Sequence, residues 1–126
     1  NAVARMVDHL SMTQYKNTSE SWLDHTVIVG FSEFSRSPLL NVNEGRDHWL
    51  LNASFALGGG IKGGQVIGAS SDYGMNPQAV NLETGALDPE GEVPRPEHII
   101  AALYEEVGIG DEPDLRVDPL RALLDS

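Results

Sequence analysis

Val3, Met6, Val7 and Leu10 recur at spacings of three and four residues, with Asp8 and His9 turned away from them. That pattern predicts an amphipathic helix ending by about Tyr15. Residues 16–21 are polar and loop-like, and Thr26-Val27-Ile28-Val29-Gly30-Phe31 then runs without polar alternation. A strand lacking a polar face is expected to be covered on both sides, as in a parallel sheet flanked by helices. A helix feeding through a loop into such a strand reads as half of a βαβ unit. A second apolar run spans 53–57, leads into Gly58-Gly59-Gly60-Ile61-Lys62-Gly63-Gly64 and is followed by a third run at 65–69. The expectation is strand, glycine turn, strand. Residues 70–95 form a long, mostly irregular connection with a small hairpin around Val80–Leu87. Pro96 suits the first position of a helix whose buried stripe is Ile99, Ile100, Leu103 and Val107, with Gly108 as its stop. The remainder is acidic and holds Pro113 and Pro119, and Leu120, Leu123 and Leu124 are expected to dock as a last turn.

Composition narrows the function. With 126 residues and 40% hydrophobic content the chain suits one globular domain. Its formal charge is −11, and the charge is uneven: residues 1–82 carry 7 acids and 5 bases, residues 83–126 carry 12 acids and 3 bases. A duplex needs several Lys or Arg to displace its counterions, so nucleic acid is disfavoured as a partner, and an anionic membrane face likewise. No apolar run reaches the roughly 20 residues of a membrane-spanning helix. Zero cysteines exclude disulfides, thiolate metal sites and a cysteine nucleophile. The first residue is Asn1, without Met and without a basic-plus-apolar leader, so the chain reads as processed or as a piece of something longer.

The stretch 32–49, just beyond the first strand, is dense in polar and special residues. Ligands gather at such strand ends in open α/β sheets. Glu33, Asp47 and His48 are the residue types a metal-assisted hydrolase uses, and an arginine suits bidentate recognition of phosphate or sulfate. Plainer readings stand beside these: a Glu33–Arg36 ion pair, Asp47 as a helix cap, and His48-Trp49 as a packed pair. The glycine run is not a phosphate loop, because Lys62 is followed by Gly63 and not by Ser or Thr. It reads as a tight turn needing positive φ. His9, His25 and His98 read as surface or helix-face histidines, and Trp22 and Trp49 as packing residues. Gly-x-Ser-x-Gly is absent, so Ser32, Ser35 and Ser37 are not a nucleophile elbow.

Three blocks, Thr26 to Pro38, Gly45-Arg46-Asp47-His48-Trp49 and Gly58 to Gly68, together resemble the domain of unknown function 1501 family, bacterial and commonly exported proteins grouped with the alkaline phosphatase and sulfatase superfamily. The Pro96-Glu97 helix ending at Val107-Gly108-Ile109 is also similar to that family's C-terminal helix. Family members are several times longer, and the likeness falls on their C-terminal portion. The resemblance implies a Ser or Thr nucleophile and a first metal carboxylate upstream of Asn1, so that no catalytic nucleophile is expected in this chain. It further implies a strand-end Asp-His metal pair, where this chain has Glu33-Phe34, and Phe34 cannot bind metal. His48 is similar in position to a later histidine ligand, with Asp47 beside it.

The expected fold is therefore α/β: the C-terminal part of an alkaline-phosphatase-like three-layer α/β/α sandwich with a mostly parallel sheet. Residues 1–126 form a single segment: 1–69 carry the helix, strand, site loop and glycine turn, 70–95 the long loop, and 96–126 the helix and acidic tail. The expected function is a contribution to a metal-dependent phosphate- or sulfate-ester hydrolase. In it Glu33, Asp47 and His48 ligate a divalent metal of the zinc or calcium/magnesium class, and Arg36 and Arg46 meet the substrate anion. The chain alone is expected to be inactive and to pair with the remainder of its polypeptide, and the resemblance implies a periplasmic or otherwise exported location. The alternative is a non-catalytic exported binding or assembly protein that kept the fold and lost the metal site. An isolated piece of a larger fold is expected to expose apolar surface on Val3–Leu10 and Val27–Phe31.

Overall fold

The computed structural model describes residues 1–110 and 115–125. Pro113 of the acidic tail lies outside them. In chain order the elements are helix α1 (Ala2–Met12), a 3-10 turn (Leu23–His25), strands β1 (Val27–Phe31), β2 (Ser35–Arg36), β3 (His48–Trp49) and β4 (Ser54–Gly58), helix α2 (Pro96–Glu106) and a second 3-10 turn (Arg121–Leu123).

Both helices form where expected, but the buried face of α2 is His98 and Ala102, while Ile99, Ile100 and Leu103 are half-buried and Val107, just past the last helical residue, is 63% exposed. The Asn1 side chain caps α1 by accepting from the Ala4 N–H at 2.8 Å. At the far end of α2, Gly108 has φ +76°. There the Gly108 N–H donates to the Glu105 carbonyl and the Ile109 N–H to the Tyr104 carbonyl. This paired arrangement closes the helix with a left-handed residue that costs glycine little.

The sheet corrects the expected architecture. β1 pairs with β4 and β2 with β3, both antiparallel and two-stranded. Among the described residues there is neither a parallel pair nor a three-layer sandwich. The apolar run of β1 suggested cover on both faces, yet Val27 to Gly30 are half-buried and Phe31 is exposed. An apolar strand fixes neither its partner nor the partner's direction. The segment 65–69 forms no strand, and Val66 in it is 91% exposed.

The four strands instead build one long hairpin. Between the two ladders, the Ser32 N–H donates to the Ala53 carbonyl and the Ser35 N–H to the Leu51 carbonyl. Register in the first ladder pairs Phe31 with Ser54, and in the second Ser35 with Trp49. Continuing the first register would place Ser35 opposite Leu50, so the returning strand carries one extra residue. Such a bulge kinks the ribbon and re-aims the side chains beyond it.

At the base of the hairpin Gly58 has φ +116°, and a Cβ there would collide with the Thr26 carbonyl oxygen. The expected tight glycine turn is thus present, with Gly60 and Gly64 also at positive φ.

The core sits away from the hairpin. Val80, Ala102, Leu120 and Ala122 are buried together, with Ile67, Leu82, Ile99, Leu123 and Leu124 packed around them. The expected hairpin near Val80–Leu87 is observed: Val80 bridges Leu87 and also Glu92. Leu120, Leu123 and Leu124 dock as expected, and the Ala122 N–H ties the last turn to the Leu82 carbonyl at 2.9 Å. Arg121 bonds Glu105 and Glu83 at 2.8 and 2.6 Å, stapling that turn to α2 and the 81–85 loop. These carboxylates raise the guanidinium's pKa above its ordinary value. No residue of α1 is buried; Val3, Met6 and Phe31 are exposed, while Val7, Leu10 and Val27 to Val29 are half-buried.

His98 departs from the expected surface position. Its side chain is fully buried, with Nδ1 donating to the Asp118 carbonyl at 2.8 Å and Nε2 accepting from Arg95 Nε at 3.3 Å. Nδ1 therefore carries the proton and both ring nitrogens are satisfied.

Candidate functional site

The residues singled out in 33–48 collect at the far end of the hairpin. β2 and β3 hold Arg36 directly opposite His48. Phe34 lies two residues before Arg36 and so shares its face of the ribbon, diagonal to His48. The Phe34 and His48 rings stack with centroids 3.5 Å apart and planes at 23°. The Arg36 guanidinium lies 5.0 Å from the Phe34 centroid, within cation–π range. Trp49 does not pack on His48 as a neighbouring pair; its Nε1 donates to the Met75 carbonyl at 3.0 Å.

Asn41 organises the tip loop. Its Oδ1 accepts from the N–H groups of Asn43 and Gly45, both at 3.0 Å, and its Nδ2 donates to Asp47 Oδ1 at 2.8 Å. The backbone closes the same turn through Asn41 N–H to the Gly45 carbonyl at 2.8 Å, with Glu44 at φ +58°. A side-chain amide that mimics a backbone turn is the usual use of Asn in such loops. The spacing Asn41-x-Asn43-x-Gly45 carried that signal, and the sequence reading passed over it.

The two arginines brace this loop. Arg36 Nη1 donates to the Arg46 carbonyl at 3.0 Å. Arg46 Nη1 donates to the Ser37 carbonyl at 3.0 Å and to the Pro38 carbonyl. Ser37 is buried between them, with its N–H on the Asp47 carbonyl at 2.8 Å and its Oγ donating to the Leu39 carbonyl at 2.7 Å.

Asp47 and His48 are exposed neighbours, and Glu33 is exposed on the approach to β2. Glu33 forms no ion pair with Arg36 among the described residues. Four of the five proposed site residues thus meet in one braced loop: Arg36, Arg46, Asp47 and His48. Glu33 stands apart from their bonds. Among the described residues no group of three or more His, Cys, Asp or Glu side chains converges as a metal site would require. No helix among the described residues is long and apolar enough to cross a membrane.

Four large apolar side chains are exposed in and beside the braced loop, among exposed polar residues such as Asn43 and Glu44. Leu39, Leu40, Val42 and Leu50 are 77%, 61%, 98% and 89% exposed.

No curated protein and no solved structure matches the chain. The profile of a family of proteins of unknown function, DUF1501, matches residues 3–88, which include the whole hairpin and the core residue Val80. With more than half of its length inside that match, the chain belongs to the DUF1501 family.

Proposed function

We propose that this chain is a binding and assembly module, non-catalytic in its own right, whose hairpin end packs against a protein surface. The observation that carries this reading is the set Leu39, Leu40 and Val42, large apolar side chains exposed on a loop held in one shape, with Leu50, just past β3, also exposed. Exposed large apolar residues gathered in one region mark interaction surfaces, and a pre-ordered loop loses little entropy on docking. The arginine bonds to loop carbonyls and the Asn41–Asp47 bond support the same reading, since they direct polar groups to hold the loop's shape. The proposed partner is the remainder of the polypeptide upstream of Asn1. The double substitution Leu40→Asp with Val42→Asp in the full-length protein tests this. The expected result is loss of compactness or association while the circular dichroism of the isolated 126-residue chain is unchanged. A full-length protein as stable and compact as the parent would overturn the reading.

The second reading keeps the alkaline-phosphatase-like and sulfatase-like superfamily that the resemblance implies. One observation favours it: Asp47 is oriented by Asn41 beside His48, whose ring nitrogens make no hydrogen bond among the described residues, with Arg36 directly opposite. It requires further donors from outside the chain. Turnover of a chromogenic phosphate or sulfate ester by the full-length protein, abolished in His48→Ala, would favour it over the first reading. Export, implied by the resemblance alone, is tested by fractionating cells that carry the full-length gene.

A further inference from the structure

Away from the hairpin tip, a groove of about 350 Å³ runs between the end of β1, the 66–70 segment and the residues leading into α2. Phe31, Leu51, Val66, Ile67 and Ile99 line it, and Arg95 stands among them as its cation. Arg95 is the N-cap residue of α2, so the groove also meets the positive end of an eleven-residue helix. Its guanidinium is aimed by a buried partner: Nε donates to His98 Nε2 at 3.3 Å, and His98 is itself fixed by the Asp118 carbonyl. The Nη groups of Arg95 have no partner among the described residues. Glu92 stands 3.7 Å from His98 Nε2 and forms no ion pair with Arg95 among the described residues. Glu97 lies in the first turn of α2.

A largely apolar groove with a single cation in its lining, held by His98 and with its Nη groups unpartnered among the described residues, complements one ligand chemistry. We infer that this groove binds a carboxylate carried on an apolar chain or ring, with Arg95 as the anion anchor and His98 as the residue that positions it. The guanidinium fork takes the two carboxylate oxygens, while Phe31, Val66 and Ile99 cover the apolar body. This site shares no anchoring residue with the hairpin tip and stands whether or not the assembly reading holds.

Calorimetric titration of the full-length protein with hexanoate and with its neutral counterpart hexanamide tests it. Saturable one-to-one binding of hexanoate is expected, with a preference of about tenfold over hexanamide. Arg95→Gln should erase that preference, and Val66→Asp, at a position 91% exposed and so harmless to folding, should weaken hexanoate. Absence of saturable hexanoate binding, or a preference that survives Arg95→Gln, would overturn the inference.

Discussion

Phe34 and His48 lie face to face at 3.5 Å although 13 residues separate them in the chain. The antiparallel return of β3 along β2 brings them together, and the Arg36 guanidinium lies 5.0 Å from the same phenyl ring. Stacked pairs of this kind contribute about 1 kcal/mol beyond their buried area. A double-mutant cycle of Phe34→Leu and His48→Leu should therefore give a coupling of about 1 kcal/mol in chemical denaturation. Additive single effects would mean that the rings touch without stabilising the ribbon.

Asn41 satisfies two backbone N–H groups and orients Asp47. Replacing it with Ala removes three hydrogen bonds in a half-exposed loop and should cost about 1–2 kcal/mol. Amide exchange at Gly45 should rise with it. Unchanged exchange at Gly45 would show that the backbone bonds alone hold the turn.

Asp24 gives the acid limb of stability a specific source. The Ser21 N–H and then the Ser21 hydroxyl donate to its carboxylate at 2.7 and 2.8 Å, which lowers its pKa below the ordinary value of 3.8. A depressed carboxylate stabilises the folded state above the unfolded pKa, and that contribution disappears as pH falls through the folded pKa. The melting temperatures of the parent and Asp24→Asn should differ by a constant amount above about pH 5 and converge below about pH 4. A difference that persists to the acid end would assign the effect elsewhere.

The helices and the glycine turn were legible because their signals are local. The three-to-four spacing of α1, Pro96 at the start of α2 and Gly108 at its end each act within a few residues. The strands at 27–31 and 54–58 were legible as strands, but their pairing was not, since Val27-Ile28-Val29 suits a parallel or an antiparallel neighbour equally. The bulge opposite 32–34 lies on the returning strand, so the Phe34–His48 contact could not be read from either residue's surroundings. His98 was missed for a different reason. It shares a helix face with Ala102, four residues on, and both are buried. Its polar type outweighed that spacing, although a histidine whose two ring nitrogens are both bonded is at home in a core.

The proposed assembly role leaves Asp47 and His48 in a loop braced by Asn41, Arg36 and Arg46, and it is distinguished from the metal-hydrolase reading by metal content. Elemental analysis of the purified full-length protein and of its His48→Ala variant tests it most directly. Under the assembly reading, less than stoichiometric zinc, calcium, magnesium or manganese is expected in both, with no difference between them. One equivalent of divalent metal in the parent, lost on His48→Ala, would contradict it.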